Sequence, residues 1–174
     1  DSTMVATTLK QRTPVQVLED RFRQKQALIG VIGLGYVGLP ICIAAAEVGS
    51  RVLGFDVDPG KPETLAKGKS YLKHIPDNRI RPLVKQNLFD YTTNFDRLSE
   101  PDALLICVPT PIDAHLDPDL SYVVATGEQI ASRLRAGQLV ILESTTYPGT
   151  TEEVLRPILE SSNLVADRDF YLAF

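Results

Sequence analysis

Three glycines, Gly33, Gly35 and Gly38, stand at G-x-G-x-x-G spacing directly behind a short apolar run, Leu28 to Ile32. A strand that turns sharply into a helix through such glycines can hold a pyrophosphate. The first glycine allows the tight turn, the second lets an anion reach the backbone with no Cβ in the way, and the third lets helix pack closely on strand. The amide N–H groups at the start of that helix have no partner within it and face the anion. A second apolar run, "RVLGFDVD", carries Asp56 near its end, 18 residues beyond Gly38. Dinucleotide-binding folds set a carboxylate near this position, where it accepts hydrogen bonds from the adenosine ribose hydroxyls and repels a 2′-phosphate. Glycines that only end a strand are the plainer explanation of the triplet taken alone. Asp56 at this distance turns the balance toward a dinucleotide site, with NAD rather than NADP as the cofactor.

These residues need elements to position them. The stretch "LIGVIGLGYVGLPICIAAAEVG" is apolar enough to suggest a membrane span, yet a span requires about 20 residues of continuous helix. The glycine cluster and Pro40 interrupt such a helix, and Pro40 suits the first turn of a helix that begins after the glycines. The stretch therefore predicts strand, turn, helix. Ahead of it, residues 1 to 12 read as a polar tail, with Met4 as a natural start, and "PVQVLEDRFRQKQ" as a short amphipathic helix with Val15, Leu18 and Phe22 on one face. Beyond it come a short helix ending near Gly68, then a loop and brief helix in "YLKHIPDNRIRPLVKQ", and a third strand in "LFDYTT". A fourth strand spans Ala103 to Val108, a helix in "DLSYVVATGEQIASRLRAG" is closed by Gly137, and a fifth strand spans Leu139 to Leu142. A helix from about Thr151 to Leu159, opened by a T-x-x-E capping box of Thr150 and Glu153, precedes the final apolar "DFYLAF".

Strands separated by helices predict an α/β chain, because parallel strands need crossovers that set helices on both faces of the sheet. The expected architecture is a Rossmann-type doubly wound parallel sheet forming a single domain, with strand order 3-2-1-4-5-6. Residues 1–26 are then tail and short helix, and 27–174 the dinucleotide-binding domain. Ligand is expected where the strand order reverses, so the glycine turn, "CVPTPID" and "ESTTYPGTTEE" should line one crevice.

Bulk properties agree. The 174 residues with 44% hydrophobic content suffice for one substantial core, and the net charge of −4 offers no basic surface to nucleic acid. Two cysteines, Cys42 and Cys107, give neither a disulfide framework nor a metal-ligand set and read as buried packing residues. No metal site and no membrane segment are expected. The N-terminus has no basic region followed by an apolar core, so the expected compartment is the reducing cytoplasm.

The motifs "GLGYVGLP", "GFDVDPGK", "CVPTPID" and "ESTTYPGTTEE", in this order, resemble those of the UDP-glucose/GDP-mannose dehydrogenases. Those enzymes oxidise C6 of a nucleotide sugar from alcohol to carboxylate with two NAD. The resemblance runs from Leu28 to Phe174, and "SYLKHIP" is most similar to the branch acting on UDP-N-acetylhexosamines, the UDP-N-acetylglucosamine 6-dehydrogenases. It implies that Tyr36 and Val37 lie in the phosphate turn and that Asp56 and Lys61 reach the adenosine ribose. It also implies that Thr110 borders the NAD and that Thr145 assists catalysis by helping to hold a catalytic water or the substrate hydroxyl. The family varies at the position of Glu143. His74 and His115 lack an acid or cysteine partner at a telling spacing and read as surface residues.

The family's nucleophilic cysteine lies in a "G-x-C-x-P-K-D" setting that neither Cys42 nor Cys107 matches. The resemblance therefore implies the NAD-binding part of a longer enzyme, inactive alone, whose central domain makes a homodimer or larger assembly. A stand-alone NAD-binding sensor is the alternative, disfavoured by Thr110 and Thr145 at the crevice. A 3-hydroxyacid dehydrogenase on the same fold fits the loops after strands four and five poorly.

Overall fold

The computed structural model describes residues 11–174. The expected polar tail lies mostly outside the described residues. Six parallel strands form one sheet in the order β3-β2-β1-β4-β5-β6, as the crossovers predict. They are β1 (Leu28–Ile32), β2 (Arg51–Phe55), β3 (Phe89–Thr92), β4 (Ala103–Ile106), β5 (Leu139–Leu142) and β6 (Tyr171–Ala173). Side chains alternate across the sheet, so each strand feeds two cores. Val31, Val52 and Phe89 pack under α2 (Gly38–Glu47), α3 (Gly60–Ala66) and α4 (Asp77–Lys85). Ile32, Phe55, Ile106 and Leu142 pack on the other face under α5 (Ser121–Ala131) and α6 (Arg156–Glu160). The apolar stretch that resembled a membrane span divides into β1, the turn and α2, and among the described residues no helix is long and apolar enough to cross a membrane.

Ahead of the sheet, α1 (Pro14–Arg23) starts with Pro14 at its first position and a capping box in which Thr13 and Gln16 satisfy each other's amides. None of its residues is buried; Leu18 and Phe22 are half-covered and Val15 is exposed. Arg21 ties the helix to the sheet through Asp102, the residue before β4. The Asp102 carboxylate accepts from Arg21 Nη2 at 2.9 Å, from the Leu28 amide at 2.9 Å and from Arg135 Nη2 at 3.2 Å. Burial pushes this carboxyl up, but the Leu28 amide, Arg21 and Arg135 together outweigh burial and hold it below its ordinary value.

Three local expectations need correction. The helix after β4 ends at Ala131 rather than near Gly137. Arg135 donates to the carbonyls of Ser99 and Pro101, which fixes residues 132–138 as an irregular connection, and Gly137, at φ 86°, turns the chain into β5. The Thr150–Glu153 capping box does not form. Thr150 is buried with helical φ and ψ, its hydroxyl donates to the Tyr147 carbonyl, and the Glu153 amide goes to Gly149, so the chain is already turning at Tyr147. The helix there opens as a wide π turn, Thr151–Leu155. The segment read as a loop and brief helix is one: a loop leads into the nine-residue α4, with Asp77 in its first turn and Lys85 in its last, where each complements the helix dipole. The fourth strand closes at Ile106, two residues before the expected Val108.

Candidate functional site

A cleft of about 900 Å³ opens at the carboxyl ends of the strands, where β1 lies between β2 and β4 and the strand order reverses. Its walls include Gly33, Gly35, Tyr36, Val37, Asp56, Lys61, Thr110 and Thr145, so every expected site residue except Gly38 reaches it directly. Gly38 is buried behind the turn.

The three glycines differ as the turn chemistry requires. Gly33 has φ 95°, and a Cβ there would stand 2.7 Å from the Cys107 carbonyl oxygen. A Cβ on Gly38 would stand 1.7 Å from the Gly33 carbonyl oxygen, so the approach of α2 to β1 leaves no room for any side chain. On Gly35 a Cβ would meet nothing within 4 Å, because that position faces the open cleft. The first turn of α2 follows at once. Val37 at its N-cap offers no side-chain hydrogen bond; the Leu39 amide donates to the Gly35 carbonyl at 3.1 Å and Pro40 has no amide, so the donors that suit an anion are those of the turn ahead of Leu39. Tyr36 and Val37 are both exposed at the rim, Tyr36 by 78%. The packed valine that an ordinary strand-to-helix turn would carry is absent. His74, itself exposed, stacks on Tyr36 with ring centroids 6.1 Å apart and planes at 13°. His115 is exposed.

Asp56 follows β2 and is only 6% exposed. Its carboxylate accepts from the Leu34 amide at 2.8 Å, from the Asp58 amide at 3.0 Å and from Lys61 Nζ at 3.0 Å. Lys61 projects from the first turn of α3, so the structure brings together the acid and the lysine expected near one ribose. A carboxylate offers about four acceptor sites. Three are taken, which leaves one for a ligand unless the half-exposed Lys61 swings aside.

Across the cleft, Thr110 Oγ1 donates to the Thr145 carbonyl at 2.6 Å, joining the loops after β4 and β5. Ser144 strengthens the joint by donating to the Val108 carbonyl at 2.7 Å. Thr145 is exposed to the cleft. Both thiols are buried. Burial, then the Glu143 carboxylate, pushes Cys107 up to about 12, and burial, then Cys107, raises Cys42 well above its ordinary value. Neither is a thiolate near neutral pH.

Tyr71 is the participant that spacing alone does not reveal. It lines the cleft, and its hydroxyl donates to the Leu34 carbonyl at 2.5 Å, inside the glycine turn. Burial, then the Asp56 carboxylate, raises its pKa, so the phenol stays protonated and remains a donor. The only sequence signal was its place in "SYLKHIP", where no periodicity or motif geometry sets it against the turn.

The dimensions suit a dinucleotide: an anion-ready helix start in the middle, an acid and a lysine on the β2 side, and hydroxyl-bearing loops on the β4–β5 side. Comparison with known proteins gives the same answer. The NAD binding domain model of the UDP-glucose/GDP-mannose dehydrogenase family matches residues 27–174. The UDP-N-acetyl-D-glucosamine 6-dehydrogenase of Pseudomonas aeruginosa is 37% identical over 153 residues, which cover 86% of this chain and 35% of that enzyme. The structure of UDP-D-ManNAc dehydrogenase from Pyrococcus horikoshii superposes with a TM-score of 0.78 at 34% identity, over 83% of this chain and 35% of its own. A ternary complex of GDP-mannose dehydrogenase from Pseudomonas aeruginosa gives 0.79 at 29% identity, over 83% and 34%. The chain spans about a third of the length of the curated relatives it matches. Its cofactor is NAD, and it belongs to the UDP-glucose/GDP-mannose dehydrogenase family, whose NAD-binding domain it contains.

Proposed function

We propose that residues 27–174 serve as the cofactor half of a nucleotide-sugar 6-dehydrogenase that converts C6 of a UDP-N-acetylhexosamine, or of UDP-glucose, from alcohol to carboxylate with two NAD. The observation that carries this reading is the contrast among the glycines. Gly33 and Gly38 exclude a side chain for reasons internal to the fold, whereas Gly35 keeps space open only toward the cleft, beside the uncapped start of α2.

Bound NAD supplies the hydride acceptor. The chain's own residues bind and orient it. Backbone amides from Gly35 to Gly38 face the pyrophosphate, and Asp56 with Lys61 holds the adenosine ribose. Thr110 and Thr145 border the nicotinamide, with the Thr145 hydroxyl placed to hold a water or the sugar hydroxyl. Asp56 excludes a 2′-phosphate, because a buried carboxylate and a phosphate would repel in a poorly solvated corner. The second oxidation in this class captures an aldehyde on a thiolate. Cys42 and Cys107, protonated and buried, are unsuited to that role, so the nucleophile is supplied from outside these residues. Two relatives support the substrate class, a UDP-N-acetyl-D-glucosamine 6-dehydrogenase and a UDP-N-acetyl-D-mannosamine dehydrogenase.

The test measures NADH absorbance at saturating NAD with UDP-N-acetylglucosamine, UDP-N-acetylmannosamine and UDP-glucose in turn. The 174-residue chain should bind NAD but produce no steady NADH. The same chain extended to the length of its relatives should yield two NADH per sugar consumed. Steady turnover by the 174-residue chain, or one NADH per sugar from the extended one, would refute the proposal.

A further inference from the structure

We propose that Glu143 makes the cleft discriminate between the two oxidation states of its cofactor, favouring cationic NAD over neutral NADH. The proposal rests on the nicotinamide lying at the β4–β5 end of the cleft, as argued above. Glu143 follows β5 directly, and its amide donates to the Ile106 carbonyl at 2.9 Å, which anchors it at the carboxyl edge of the sheet. Its exposed side chain lines the cleft together with Cys107, Thr110 and Thr145. The other charged residues lining the cleft, Asp56, Asp58 and Lys61, all belong to the β2 side. Among the described residues, Glu143 is thus the one charged group lining the β4–β5 end. Its carboxylate enters none of the ion pairs formed among them. Its field reaches into the cleft wall, where it is the second cause, after burial, of the raised Cys107 thiol.

NAD and NADH differ in charge at one place. The oxidised nicotinamide ring is a pyridinium with one positive charge, and the reduced ring is a neutral dihydropyridine. Adenosine, both riboses and the pyrophosphate are the same in both, so their contacts cancel in the ratio of the two affinities. A fixed carboxylate beside the ring does not cancel, because it attracts the cation and has no net charge to attract in the reduced form. Opposite unit charges about 7 Å apart change an affinity roughly threefold in bulk water and roughly fiftyfold at an effective dielectric constant of about 20. An exposed carboxylate at a solvated cleft belongs near the lower figure, so we expect about fivefold. An enzyme that must release NADH and take up NAD between two oxidations is served by this bias, since the attraction ends when the ring is reduced.

Titration calorimetry of the 174-residue chain with NAD, NADH and ADP-ribose, in the parent and in Glu143→Gln, tests the proposal. Gln keeps the shape of the side chain and removes its charge. The ratio Kd(NADH)/Kd(NAD) should fall about fivefold in Glu143→Gln, while ADP-ribose, which lacks the nicotinamide, binds unchanged. The parent's ratio should approach that of the variant near 1 M salt, where screening acts over about 3 Å, and Glu143→Asp should keep most of the parent's preference. An unchanged ratio in Glu143→Gln would overturn the proposal alone. Equal loss for ADP-ribose would also overturn it, by showing that Glu143 acts on the fold or the adenosine end. A parent chain that does not bind NAD would overturn the function proposed above and this inference with it.

Discussion

Two substitutions in one motif separate binding from folding. At Gly35 the added atoms of Gly35→Val enter open cleft, with no heavy atom within 4 Å of the Cβ, and φ lies outside the left-handed region. The fold should lose about 0.5 kcal/mol or less, the scale of an ordinary surface change. The isopropyl group then stands where the pyrophosphate would meet the backbone, and NAD affinity should fall at least about a hundredfold, roughly 2.7 kcal/mol. Gly38→Ala does the reverse. Its single methyl would sit 1.7 Å from the Gly33 carbonyl oxygen and 2.9 Å from the carbonyl carbon, so α2 must move off β1. Overpacking of this kind costs about 1–3 kcal/mol, and contact with backbone places it near the top of that range. At about 2–4 °C per kcal/mol for a chain of this size, Gly38→Ala should melt about 6–12 °C below the parent and Gly35→Val within about 2 °C of it. Thermal melts followed by circular dichroism, with calorimetric titration of NAD on the same samples, measure both. A folded Gly35→Val chain that binds NAD like the parent would place the pyrophosphate elsewhere. A Gly38→Ala chain that melts with the parent would refute the claimed closeness of helix and strand.

The parent should bind NAD at least about tenfold more tightly than NADP, about 1.4 kcal/mol, and Asp56→Ala should narrow that gap. Equal affinities in the parent, measured by calorimetry, would remove Asp56 from its assigned role. Asp102 gives a pH dependence with a definite sign. Its folded pKa lies below the ordinary 3.8, so its contribution to stability is complete above that value and is lost as pH falls through the lower folded value. Urea unfolding between about pH 6 and about pH 3 should show a steeper acid limb in the parent than in Asp102→Asn, and identical limbs would contradict the assignment.

The order of the sheet was legible because its signals are local and agree with one another. Apolar runs of four or five residues alternate with helical segments, and the glycine spacing marks which strand comes first. The position of Asp56 was legible for the same reason. Its workload was not, since three partners, the amides of Leu34 and Asp58 and the Lys61 ammonium, come together only in the folded turn. The mistaken helix end near Gly137 has a non-local cause. Arg135 finds its acceptors at Ser99 and Pro101, more than thirty positions earlier, and no window of neighbouring residues contains that information. The capping box failed through competition: Thr150 has the right type and spacing, but its hydroxyl already serves the Tyr147 carbonyl.

Leu34 shows why the central turn can act as a rigid anion cradle even though its motif is rich in glycine. Its amide donates to Asp56 from the end of β2, and its carbonyl accepts from Tyr71, which lies between α3 and α4. The preceding amide, that of Gly33, donates to the Phe55 carbonyl at 2.8 Å. The backbone on either side of the Leu34 side chain is therefore held from outside the motif, and the side chain itself is fully buried. Glycines supply the dihedral freedom to make the turn, and these three contacts remove that freedom once it is made. A turn fixed in this way loses little entropy when a pyrophosphate arrives, and preorganisation of that kind converts contact into affinity. Together with the ribose contact proposed above, it would give Asp56 two duties, holding Leu34 and meeting the ribose. Asp56→Ala should therefore weaken NAD itself and not only relax the exclusion of NADP, whereas loss of the ribose contact alone would leave the pyrophosphate cradle intact.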